Sequence, residues 1–251
     1  MEKYLKPILK NGKCFILTCD QAFIHGPSDF NEFNQDIFNI FDLAVKGGFT
    51  GLVLHKGLAE QFKDSKYYGK VPLIIKLNSN TFLPKEKDPD TARLCSVAYA
   101  KKLGAVAVGY TVYLGSENEN RMFEEFSKIQ EEAHNLNMAV IAWVYIKGKH
   151  VVNQPSDLMT QYAARIGLEL GADMVKVKHG ETSEGFRKAV LFANPVKIAS
   201  SGEELIDGDQ FLENVKGVMD AGGCGFLVGR NVWQRENPLE FSKKIKDIIF
   251  R

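Results

Sequence analysis

Short runs of apolar, β-favouring residues recur along the chain about every 30 residues, each ending at a polar or glycine-rich turn. They fall at 14–18, 51–54, 71–76, 105–109, 139–143, 174–177, 196–199 and 225–228. None alternates apolar with polar along its length, as a half-exposed antiparallel strand would. They read instead as parallel strands buried on both faces. Between them the apolar spacing changes to that of an amphipathic helix, over 37–45, 90–103, 118–135, 156–170, 185–192 and 209–221. Several of these helices run straight into glycine, as in Lys46-Gly-Gly48, Leu103-Gly104, Leu170-Gly171 and Ala221-Gly-Gly223. That is the stop expected where a helix ends in a left-handed residue.

Eight strand–helix units predict a closed (β/α)8 TIM barrel, an α/β fold in one domain spanning 1–251. The rival is an open doubly wound sheet, which usually carries GxGxxG after its first strand. Here that turn reads Cys19-Asp-Gln-Ala-Phe-Ile-His-Gly26. Residues 79–90, rich in Pro and Lys, are expected to form a surface connection. The length of 251 residues suits such a barrel, and Lys+Arg 32 against Asp+Glu 31 leaves a net charge of +1. Without a basic excess, nucleic acid and anionic membrane are not expected partners. No apolar run approaches the ~20 residues that span a bilayer, and the N-terminus lacks the pattern of a signal peptide. Cys14, Cys19, Cys95 and Cys224 show no paired spacing, so buried free thiols in a cytoplasmic protein are expected.

A barrel places its chemistry at the C-terminal ends of its strands. Those ends offer Asp20 and His25 after the first, Lys76 closing the third, and Trp143, Tyr145 and Lys147 at and after the fifth. The sixth carries Lys176 and Lys178, the seventh is followed by Ser200-Ser-Gly202, and the eighth by Gly229 and Arg230. Lysine inside an apolar strand is the most informative of these. Alternation puts Lys176 and Lys178 on one face. If that face is the barrel interior, burial and like charge both lower an amine's pKa, and a neutral amine can form a Schiff base with a carbonyl. The alternative is that one or both lie beyond the strand and pair with Glu181 or Glu184. Ser200–Gly202 and Gly229–Arg230 fall where barrels often bind phosphate, although two ordinary turns would read the same. Asp20 and Tyr145 are candidates for proton transfer, with a helix cap and plain packing as their structural alternatives. Trp143 is a pocket wall or core, and His25 a substrate contact or a structural histidine. His55, His134, His150 and His179 show no metal-ligand spacing, so no metal site is assigned.

With these motifs in view, the chain resembles the archaeal-type class I fructose-bisphosphate aldolases, a Schiff-base barrel family that also holds methanogen aminodideoxyheptulosonate synthases. The resemblance runs from Phe15 to Ile249. It is carried by Asp20-Gln-Ala-Phe-Ile-His-Gly-Pro27, Pro72-Leu-Ile-Ile-Lys-Leu-Asn78, Ala107-Val-Gly-Tyr-Thr-Val-Tyr113, Trp143-Val-Tyr-Ile-Lys-Gly148, Glu169-Leu-Gly-Ala-Asp-Met-Val-Lys176 and Val228-Gly-Arg-Asn-Val-Trp-Gln-Arg235. It implies a lyase that needs no metal or organic cofactor and acts on a phosphorylated sugar, with fructose 1,6-bisphosphate foremost. Lys176 would be the Schiff-base lysine, Tyr145 the general acid/base and Asp20 the group that orients substrate and assists proton transfer. Trp143 and His25 would line the pocket, Lys147 and Lys178 would bind substrate beside them, and Ser200, Ser201, Gly202, Gly229 and Arg230 would hold phosphate. A homo-oligomer, commonly a decamer, is implied as well.

The chain also departs from the family's usual pattern. Gln21, Ala22 and Ile24 stand where a histidine, a glycine and a glutamate are usual. Lys147 replaces an arginine, Lys178-His-Gly-Glu181 replaces Lys-Tyr-Thr-Gly, and Ser201-Gly-Glu-Glu204 replaces Gly-Gly-Pro-Lys. Two carboxylates beside a phosphate nest are unfavourable unless they face solvent. Related imine enzymes on other sugar phosphates, a transaldolase-like step, or a barrel that only binds a phosphorylated metabolite are the alternative readings.

Overall fold

The computed structural model describes residues 2–84, 88–151 and 156–251. Its eight strands are β1 (Cys14–Cys19), β2 (Gly51–Leu54), β3 (Leu73–Lys76), β4 (Ala107–Leu114), β5 (Ala139–Ile146), β6 (Met174–Val177), β7 (Lys197–Ser201) and β8 (Gly225–Val228). Each pairs in parallel with its sequence neighbours, and β1 pairs with β8 to close the barrel. The helices that follow in turn are α1 (Ile37–Lys46), α2 (Lys56–Gln61), α3 (Val97–Lys102), α4 (Glu119–Asn135), α5 (Asp157–Glu169), α6 (Ser183–Phe192), α7 (Gly208–Asp220) and α8 (Pro238–Ile249).

Helix starts are set by short polar side chains that accept orphan N–H groups. Asp36, Ser96, Ser156, Thr182 and Asp207 cap α1, α3, α5, α6 and α7. Their ends turn through Gly48, Gly104, Gly171 and Gly222, all at positive φ, as the glycine stops predicted. Three expectations shift. α3 begins only at Val97, because Ala92–Arg93 is taken up in a short ladder with Asn78–Ser79. The connection 79–90 is not all surface: Ser79 is buried, whereas Phe82 and Leu83 are exposed. Its residues 85–87 lie outside the described residues. Finally, β4 and β5 run past Gly109 and Trp143, and the reason is packing. A Cβ at Gly109 would lie 1.6 Å from Trp143 Cζ3, so this glycine makes room for the indole rather than ending a strand.

Alternation along the strands divides the core in two. Outward residues such as Val175, Val177, Ile198 and Phe226 pack against the helices. Inward residues, among them Ile16, Val53, Ile74, Ile141, Met174 and Leu227, fill the lumen, and Leu5 and Ile8 close its lower end. The four cysteines are buried and free. Directly above the apolar floor, the next inward positions are Lys76, Trp143 and Lys176.

Candidate active site

Three strands put a hydrophobic strand position to an unusual use. Lys76 ends β3, Trp143 lies on β5, and Lys176 lies on β6 directly beside Trp143 in the register. Lys76 is 1% exposed and Lys176 7%. Their Nζ atoms lie 5.2 Å and 5.6 Å from the indole centroid, within cation–π reach. Tyr145, two residues further along β5, faces the same space, with its ring 6.0 Å from Lys176 Nζ. It stands inside the strand rather than after it. Tyr113, its partner on β4, stacks against it at 6.3 Å between centroids.

Asp20 completes the cluster from the end of β1. It occupies the N-cap position of the short helix Gln21–Ile24, yet its side chain makes no capping bond. Instead Oδ2 lies 3.6 Å from Lys76 Nζ. The cap expected of an aspartate at a strand end is therefore not its job. His55, at the start of α2, is buried alongside, and its Nδ1 donates to the Lys76 carbonyl at 3.3 Å. Burial draws its pKa down to about 4, so the ring is neutral.

The electrostatics follow from two ammonium groups sharing one nearby carboxylate in a desolvated space. Burial, with the Lys76 and Arg230 charges, brings the Lys176 pKa down to about 8, against the opposing pull of Asp20. Burial also lowers Lys76, with Asp20 opposing. For Asp20, burial would raise the pKa, but the Lys76 and then the Lys176 charges outweigh it, so the net direction is down and the carboxylate stays ionised. Burial and Asp20 push the Tyr145 phenol well above its usual range and bring Tyr113 to about 12. The pocket thus holds an amine close to neutrality, an ionised carboxylate and a protonated phenol.

The pairing of Lys176 with Lys178 is corrected. β6 ends at Val177, and the Lys178 side chain, 47% exposed, turns to the rim, where Nζ lies 3.9 Å from Glu203 Oε2. The like charge near Lys176 is Lys76, which shares its sequence signal, a lysine inside an apolar run. Lys147 is exposed at the rim, its Nζ 5.9 Å from the Tyr113 ring. His25 is half-buried, and its Nδ1 bonds Asp29 Oδ2 at 2.6 Å. Asp29 in turn lies 3.6 Å from Arg230 Nε.

At the end of β7 the structure divides the expected phosphate residues. Ser200 pairs with Val177 and Phe226, both outward, so its hydroxyl turns away from the mouth and donates to Ser201 O at 3.4 Å. The Gly202 N–H is already bonded to Leu227 O at 3.0 Å. Ser201, Gly229 and Arg230 remain at the mouth. Gly229 leaves little room beside β1, since a Cβ there would come within 2.9 Å of Thr18 Oγ1.

Residues 14–235 match the DeoC/LacD family aldolase pattern. The chain belongs to this family. Among curated relatives it is 41% identical to a class 1 fructose-bisphosphate aldolase of Thermoproteus tenax, over 99% of this chain and 94% of that protein. It is 39% identical to the Halobacterium salinarum class 1 enzyme, over 97% and 93%. Its structure superposes with a TM-score of 0.94, at 40% identity over 100% of this chain and 99% of the other, on an archaeal fructose-1,6-bisphosphate aldolase. In that structure the catalytic lysine is covalently bound to the carbinolamine intermediate of the substrate. Within the DeoC/LacD family the fold expected from the strand pattern, the TIM barrel, is the one found.

Proposed function

We propose that this protein is a class I fructose-bisphosphate aldolase, a lyase that reversibly cleaves fructose 1,6-bisphosphate to dihydroxyacetone phosphate and glyceraldehyde 3-phosphate through an imine on Lys176. The observation that carries the reading is the Lys176 amine, buried in the barrel mouth with its pKa drawn to about 8 and with Asp20 and Tyr145 facing it. About a tenth of such an amine is neutral one pH unit below its pKa, enough to attack a ketone.

The residues then divide the work. The neutral amine adds to the ketone carbon and gives a carbinolamine. The protonated Tyr145 phenol delivers a proton to the carbinolamine hydroxyl, which leaves as water, and the nitrogen lone pair forms the iminium. The tyrosinate so produced takes the proton from the hydroxyl next to the scissile bond. The C–C bonding pair flows into the iminium as an enamine while the aldehyde is released. Asp20, ionised throughout, stabilises the cationic iminium, and Lys76 keeps that carboxylate in place. Trp143 walls the pocket. Ser201, Gly229, Arg230 and Lys178 border one phosphate, whereas Ser200 and Gly202 have their polar groups engaged elsewhere, and Lys147 and His25 lie along the rim. Lys147 supplies a point charge where an arginine would supply a fork.

The same reading makes the protein a cytoplasmic homo-oligomer, a decamer by its resemblance to the family. Exposed Leu158 and Tyr162 on α5, and Leu191 and Phe192 at the end of the neighbouring α6, support an interface, and sedimentation velocity would reveal a monomer. No helix among the described residues is long and apolar enough to cross a membrane.

The decisive experiment is borohydride trapping with dihydroxyacetone phosphate followed by peptide mass spectrometry. A reduced adduct on Lys176 is expected. An adduct on Lys178 would keep the imine mechanism and overturn the residue. Binding without any adduct would make this a phosphometabolite-binding barrel instead.

A further inference from the structure

The rim at the end of β7 holds a carboxylate that the imine mechanism does not use. Glu203 sits at φ +50, a backbone conformation that side chains other than glycine rarely adopt. The fully buried Asn231 keeps it there. Its Nδ2 donates to Gly202 O at 2.5 Å and also to Glu204 O, the carbonyls on either side of Glu203. Its Oδ1 accepts from Ile206 N and from Arg235 Nη2, both at 3.1 Å. Every polar atom of the Asn231 amide thus works to fix one loop, and the loop's product is the position of one acidic side chain.

The carboxylate spans two groups at the rim of the mouth. Glu203 Oε2 lies 3.9 Å from Lys178 Nζ, and Oε1 accepts from Ser201 Oγ at 3.5 Å. An oxygen pair facing an ammonium on one side and a hydroxyl on the other is the contact set that a phosphate group would make at this corner. The corner lies within electrostatic reach of the reacting centre, where both Lys176 and Tyr145 feel the Glu203 charge.

We infer that Glu203 is a specificity-determining residue: its carboxylate occupies the Lys178–Ser201 corner of the free enzyme, and the phosphate of a phosphorylated ketone must displace it. This rests on the aldolase reading above. The ion pair is half-exposed and weak, so the side chain can swing aside. The backbone cannot follow, because Asn231 pins it. An incoming dianion therefore has to break the Glu203–Lys178 pair and stay near a carboxylate tethered at this corner, a cost that an uncharged ketone of the same carbon skeleton does not meet. Glu203 thus narrows the preference for phosphorylated over unphosphorylated donors that Lys178 and Arg230 alone would produce.

The test compares dihydroxyacetone phosphate with dihydroxyacetone as donors to glyceraldehyde 3-phosphate, in the wild type, in Glu203→Gln and in Glu203→Gly. The glycine variant removes the charge and relieves the positive φ together. Both variants are expected to lower KM for the phosphorylated donor about tenfold, leave its kcat within about twofold, and leave KM for dihydroxyacetone unchanged. Calorimetric Kd values for the two ketones should show the same split without any chemistry. An equal change for both donors, or a fall in kcat with KM unmoved, would overturn the inference and make Glu203 a loop-shaping or proton-handling residue. Borohydride trapping on the same samples separates the two failures. A Lys176 adduct with no donor split sinks only this inference, whereas binding without an adduct in any sample sinks the aldolase reading and leaves the Kd ratio to judge Glu203.

Discussion

The interior of the barrel mouth and its rim at β7 and β8 handle charge in opposite ways. Inside, two buried ammonium groups, Lys76 and Lys176, share the nearby carboxylate of Asp20, and the resulting imbalance falls on Lys176. At the rim each cation has its own carboxylate, Lys178 with Glu203 and Arg230 with Asp29, and solvent screens the Lys178 pair. An unbalanced, desolvated cluster shifts pKa values and makes reactive groups. A balanced, wetter one sets which ligands enter and costs little to rearrange. On the proposed function, chemistry and selectivity therefore reside on adjoining parts of one mouth, built by different physics.

Three changes test that division, the most severe first. Lys176→Met removes the proposed nucleophile and is expected to abolish turnover, by at least about a thousandfold in kcat, and to leave no borohydride adduct. The same variant reports on the imbalance. With a folded pKa of about 8 against 10.5 for an ordinary lysine, the native chain binds fewer protons than the unfolded one between those values. This group alone therefore adds to stability as pH rises across that window, by roughly 3 kcal/mol, while the buried thiols and phenols, held protonated, work the other way. The wild type should accordingly gain on the methionine variant by about that amount in urea titrations at pH 8 and 10.5. An equal change with pH in both would locate the titrating group elsewhere.

Tyr145→Phe keeps the ring and removes the proton. A fall in kcat of about a hundredfold or more is expected, with trapping of the ketone slowed but still directed to Lys176. Unaltered turnover would move the acid/base role to Tyr113 or Asp20. Gly109→Ala is the mildest probe, because it touches no reacting atom. Its methyl would intrude on Trp143, costing about 1–3 kcal/mol in thermal or denaturant unfolding and displacing the wall between the two lysines. If stability and kcat are both unchanged, the indole is not the wedge that separates them.

How far the sequence could be read depended on whether the signal was local. The strands at 51–54, 174–177 and 225–228 appear with the predicted bounds, because buried parallel strands are continuous apolar runs closed by turn residues. Lys176 was visible for the same reason, as a charge that such a run does not tolerate without cause. Gly109 misled because a glycine at a strand end and a glycine making way for a neighbouring indole are the same letter. Alternation placed Lys178 beside Lys176, but alternation holds only while the strand lasts, and it lasts one residue past Lys176. Ser200 and Ser201 were grouped as one motif, yet their hydroxyls leave the strand on opposite faces. The pairing of Lys178 with Glu203 joins two loops and leaves no local trace at either position.

The seam that closes the barrel also carries a consequence for timing. β1 meets β8 through Cys14–Gly225 and its neighbours, Thr18 Oγ1 donates to Val228 O, and Trp233 Nε1 donates to Thr18 O across 215 positions of chain. Until a ribosome has released the last strand, β1 presents an unpaired edge, and Asp20 hangs from it facing no finished pocket. The pocket is therefore completed only once β8 has been made, and the interval before it is when the nascent chain is most exposed to edge-to-edge association.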